Sequence, residues 1–198
     1  MKIVSIILVL LCWQIHAIEY APILDSDISA PALNITNDDQ GNWLEITSKE
    51  WRDVVFTDKG EQAYIYQHGY NYQKQEGFLR TFTLDRKLVS ETHSPSGGGM
   101  VSREELLLAF ELFKNHKEIL KTLEKETIPI YIFGGFGFAD KKPDQACYHG
   151  QRCVHVFAHT DEKEMIAHAI VKLNDRSIPY PDFDGINKKQ SLSNRAKK

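Results

Sequence analysis

No complete catalytic signature occurs anywhere in the 198 residues. The G-x-S-x-G nucleophile elbow is missing, and Ser96-Gly97-Gly98-Gly99 lacks the Lys-Ser/Thr of a phosphate-binding loop, so it reads as a flexible break. Asp182-Phe183-Asp184-Gly185 starts like a calcium loop, but the remaining acidic ligands do not follow, which leaves a turn. Basic charge is also short, with 24 Lys and Arg against 27 Asp and Glu. Five of the basic residues (Lys188, Lys189, Arg195, Lys197, Lys198) gather after Gly185 with no acid among them. The body is therefore acidic and without the basic stripe that nucleic-acid binding requires, and residues 187–198 read as a basic disordered tail.

Long apolar runs are confined to the N-terminus. Lys2, then Ile3 to Trp13, then Ile15-His16-Ala17 match the charged, apolar and cleavage regions of a secretory signal over residues 1–17. The run is too short to span a bilayer, so no transmembrane segment is expected, and the chain is placed outside the cytoplasm, secreted or periplasmic. Cysteine is scarce too: three in all, of which Cys12 leaves with the signal. The remaining Cys147 and Cys153, in an oxidising compartment, are expected to form one intrachain disulfide. Asn34-Ile35-Thr36 is an N-glycosylation acceptor sequence.

Residues 18–42, rich in Pro, Asp, Ser and Asn, read as an extended leader, and residues 43–186 as a single domain. Between Trp43 and Thr57 apolar and charged residues mix, and a short helix opening at Ser48 competes with two strands. Tyr64, Tyr66, Tyr70 and Tyr72 recur at even spacing, which puts them on one strand face as an aromatic ladder and a candidate contact surface. Ser102 with Glu105 three residues on is a capping box, and Leu106, Phe110, Phe113, Leu120 and Leu123 continue it as an apolar stripe. This predicts one long helix from Arg103 to Lys125. A strand from Ile128 to Phe138 follows, bent or bulged by Gly134, Gly135 and Gly137, and then a hairpin of Arg152–Thr160 with Met165–Leu173 around a turn at 161–164. The expected fold is α+β: one long helix packed on an antiparallel sheet. Over Ser102 to Pro181 this order of helix and meander resembles the cystatin-like architecture of protease inhibitors and accessory binding domains. The inhibitory Q-x-V-x-G loop of that family is absent, so protease inhibition does not carry over.

The hairpin holds the densest chemistry. Its turn pairs Ala158 with Ala167 and Phe157 with His168, so Val154, Val156 and Ala158 face the helix beside Met165, Ala167 and Ala169. Cys153, His155, Phe157 and His159 face the other way beside Ile166, His168 and Ile170. His155 and His159 are then about 13 Å apart at roughly 3.3 Å per residue, too far to ligate one ion. A second metal option is Cys147, His149, Cys153 and His155, in competition with the disulfide. The resulting expectation is a small exported binding module with no cofactor, contacting an unidentified protein or small molecule through His155, His159 and His168 or the tyrosine ladder. The alternative is a small metal-assisted enzyme using these histidines with Asp175 or Glu91 as the acid.

Overall fold

A computed structural model describes residues 23–25, 30–58, 60–95 and 99–186. The expected signal segment, the basic tail and Ser96 to Gly98 of the glycine break lie outside them. In chain order the elements are β1 (Ile23–Asp25), β2 (Asn34–Asn37), β3 (Trp43–Thr57), β4 (Gly60–Asn71), β5 (Glu76–Thr83), β6 (Leu88–Ser94), α1 (Arg103–Asn115), α2 (Lys117–Leu123), β7 (Ile130–Phe138), β8 (Cys153–Thr160), β9 (Met165–Lys172) and β10 (Ser177–Tyr180). Strands β2 to β6 form an antiparallel five-stranded meander. The second sheet runs β1-β7-β8-β9-β10, antiparallel except where β1 lies parallel to β7.

The molecule is thus mostly β, which overturns the expected α+β domain with one long helix and, with it, the cystatin-like element order. Two local causes are visible. The stretch from Trp43 to Thr57 is a single strand, because its β-branched and aromatic residues pair along most of β4. Ser48 does not cap a helix there; it sits at the register shift between Thr47 and Lys49, and its hydroxyl donates to the His68 carbonyl at 3.3 Å. The helix itself breaks at His116, whose extended backbone (φ −72°, ψ 124°) ends α1 and starts α2. The break rephases the stripe, so Ile119, Thr122 and Leu123 are buried in α2 while Leu120 is only half-buried.

Both helices cover one face of the second sheet. Leu106, Ala109, Phe110, Phe113, Ile119 and Leu123 pack against Ile130, Ile132, Val154, Val156, Ala158, Ala167, Ala169 and Val171. Each of the valine, leucine, isoleucine and phenylalanine side chains contributes about 1.5–3 kcal/mol by leaving water, which makes this face the main source of stability. In the hairpin Ala158 faces Ala167 and Phe157 faces His168, as its turn predicts. A register shift beyond Ala158 then sets His159 opposite Met165 and sends Ile166 into the helix-side core, opposite to the face expected for it. Strand β7 bulges between Gly134 and Phe136, where Gly135 adopts φ +92°, a conformation costly for any side chain.

The two sheets are joined by a buried polar cluster. Glu105, the capping-box acid, is fully buried and Arg152 is 3 % exposed. The guanidinium donates to the carboxylate from Nε at 2.8 Å and from Nη2 at 3.1 Å. Ser102 N–H and the Tyr72 hydroxyl donate to the same carboxylate at 2.7 Å each. The Tyr70 hydroxyl donates to the Gly150 carbonyl and accepts from Asn174 Nδ2 at 2.9 Å. Burial opposes the charge on Glu105, but the Arg152 charge and the hydrogen bonds donated by Arg152, Ser102 and Tyr72 together outweigh it and hold the carboxyl below its usual range.

Candidate imidazole and aromatic site

On the face of the second sheet turned away from the helices, alternation along β7, β8 and β9 sets aromatic rings beside histidines. His155, Phe157 and His159 come from β8, His168 from β9, and Tyr131, Phe133 and Phe138 from β7. Phe157 stacks on His168 with ring centres 4.0 Å apart and on Phe133 at 4.9 Å. After β10 the chain turns back over β9: the Phe183 N–H donates to the His168 carbonyl at 2.9 Å. That turn lays Phe183 edge-on against Phe138, His155 and His168. It also delivers Asp184.

Asp184, His168 and His155 form a hydrogen-bonded chain. Asp184 Oδ2 lies 2.6 Å from His168 Nδ1, and His168 Nε2 lies 2.9 Å from His155 Nδ1. A carboxylate only accepts, so His168 carries its proton on Nδ1, and when neutral its Nε2 must accept. His155 then donates from Nδ1 and is left with a lone pair on Nε2, an atom with no hydrogen-bond partner among the described residues. His168 is 4 % exposed, whereas the Asp184 side chain is half in water. Burial, with the neighbouring His168 second, pushes the His155 pKa below the ordinary imidazole value and keeps the ring neutral at pH 7. Chemically, the chain presents a fixed acceptor, or weak base, framed by rings.

The other expected site residues are distributed. His159 does not join the chain: its Nδ1 donates to the Thr160 carbonyl at 2.6 Å while its ring stacks on Tyr131 at 5.5 Å. Cys147 and Cys153 form a disulfide, with Cα atoms 5.9 Å apart, packed on Ile170, Phe138 and Tyr180. Their sulfurs bond each other, so they offer no thiolates to His149 and His155, and His149 packs its ring on Tyr148. Among the described residues no group of three His, Cys, Asp or Glu side chains is placed to hold a metal. Of the proposed acids, Asp175 pairs with Lys172 at 3.0 Å, and Glu91 pairs with Arg80 in the other sheet at 3.1 Å. The tyrosine ladder divides. Tyr64 and Tyr66 stay half-buried on the meander, with Trp51 stacked on Tyr66, while Tyr70 and Tyr72 belong to the junction between the sheets. Burial pushes the Tyr70 phenol up to about 12.

Sequence reasoning missed Asp184, Phe183 and Phe138. Asp184 sits in a four-residue turn that reads as punctuation, and nothing in its spacing points to a histidine 16 residues earlier. No family model matches the sequence, and no curated protein is significantly similar to it. Among the described residues no helix is long and apolar enough to cross a membrane.

Proposed function

We propose that the chain is a small exported binding module whose ligand is met by the imidazole and aromatic face, with His155 Nε2 as the hydrogen-bond acceptor. The observation that carries this reading is the Asp184–His168–His155 chain, which fixes the tautomer of an otherwise ambiguous ring. Export is supported by the signal-like N-terminus and by the Cys147–Cys153 bridge, a bond suited to an oxidising compartment. The rings of Phe138, Phe157 and Phe183 around His155 favour a planar ligand carrying an N–H or O–H donor, since rings stack or meet edge-to-face and a lone pair needs a proton. A metal-assisted enzyme would need three protein ligands, and His155 with His168 supplies at most two.

Indole and phenol are suitable probes, followed by ligand-observed NMR on the full chain. Binding is expected at about pH 8 and lost near pH 5, where protonation removes the acceptor. His155→Phe, which keeps an aromatic ring but no acceptor, should abolish it. Equal binding by His155→Phe, or binding indifferent to pH, would sink the reading.

A further inference from the structure

On the helix side of the second sheet, away from the imidazole face, a cleft of about 450 Å³ opens between α1, the helix break at His116 and the start of β10. That volume falls in the range of small-molecule sites, about 300–1,000 Å³. Leu108, Leu112 and Ile178 supply its apolar lining, and all three pack against the main core. Glu111 and Arg176 border the same cleft, yet they form no ion pair with each other, and neither has a hydrogen-bond or ion-pair partner among the described residues. His116, also at the cleft, has its ring Nδ1 buried without a hydrogen-bond partner. A buried polar atom left unpaired is costly, and a ligand atom reaching it would recover that cost.

We propose that this cleft binds an apolar amino acid as a zwitterion, with the carboxylate on Arg176, the ammonium on Glu111 and the side chain on Leu108, Leu112 and Ile178. A cation and an anion that share a cleft without neutralising each other suit a ligand that carries both signs, and the apolar lining of the same cleft suits an aliphatic or aromatic side chain. A purely anionic amphiphile would leave Glu111 facing like charge, and a neutral apolar ligand would leave both charges unused. The imidazole face plays no part, so this site stands or falls apart from the function proposed above.

The test is calorimetric titration of the full chain with leucine and phenylalanine, set beside N-acetyl-leucine and leucinamide, which each lack one charge. The expected result is saturable binding of the free amino acid at one site, with each blocked form about tenfold weaker or more. Arg176→Gln and Glu111→Gln alter exposed side chains and should leave the fold intact while each reproduces the loss seen with the matching blocked ligand. Absence of saturable binding overturns the proposal. So does N-acetyl-leucine binding as well as leucine, which would mean that Glu111 has no role.

Discussion

Glu105→Gln probes the junction between the sheets most directly, because it changes charge while keeping shape. In the native protein the two carboxylate oxygens accept from four donors: Ser102 N–H, the Tyr72 hydroxyl, Arg152 Nε and Arg152 Nη2. A glutamine can place its oxygen towards only one pair of donors, and its amide N–H groups must then face the other pair. Two donors would meet, and the buried Arg152 would lose its counter-charge. Breaking a buried pair from one side costs about 3–5 kcal/mol, which for a chain of this size corresponds to a fall in Tm of about 6–20 °C. Urea unfolding followed by circular dichroism should give that loss with the slope unchanged. The pH dependence has a definite sign. The Glu105 pKa is lowered in the fold, so its contribution is complete above the unfolded value near 4.5 and disappears as pH falls further. The stabilities of parent and variant should therefore converge in acid. In a double-mutant cycle, Glu105→Gln with Arg152→Met should cost less than the two separate losses combined, by about 0.5–3 kcal/mol. A loss below about 1 kcal/mol for Glu105→Gln, or strict additivity in the cycle, would refute the view that this pair holds the sheets together.

Two further predictions concern the imidazole hairpin. Cys153→Ser opens a loop that spans six residues of sequence, and loop-closure entropy then assigns a loss of about 2 kcal/mol, readable as a lower urea midpoint; an unchanged midpoint would mean the bridge is not stabilising. His155 has its pKa lowered by burial and by His168, so the unfolded chain takes up the extra proton and stability should fall as pH drops below about 6.5. His155→Gln should reduce the slope of stability against pH between about 7 and 5 without removing it, because His68, also lowered by burial, titrates in the same direction. A slope identical to the parent's would show that His155 is not the group responsible.

Local chemistry was legible in the sequence wherever neighbours in the chain are also neighbours in space. The capping box closes as its spacing requires, with Ser102 and Glu105 each bonding the other's backbone. The Cys147–Cys153 bridge and the pairing of Phe157 with His168 follow from a short loop and a short turn. The helix was legible in kind but not in length: an apolar stripe continues through His116 on paper, whereas the backbone there is extended. The meander of β2 to β6 was half-legible, its aromatic alternation visible but its sheet of five strands not, because pairing partners are chosen by long-range packing.

By itself the sequence determined which residue types alternate, where the chain turns, and that three histidines and one cysteine fall on one hairpin, with the second cysteine in the loop before it. Those properties rest on backbone geometry over a few residues, where periodicity and turn chemistry suffice. Only the tertiary structure decided what these residues do together. It carried Asp184 across a turn to His168, fixed the proton pattern that leaves His155 an acceptor, and used Tyr70, Tyr72, Glu105 and Arg152 to join the two sheets. Such contacts depend on where distant segments pack, and a distance of 2.6 Å between residues sixteen apart leaves no trace in composition or spacing.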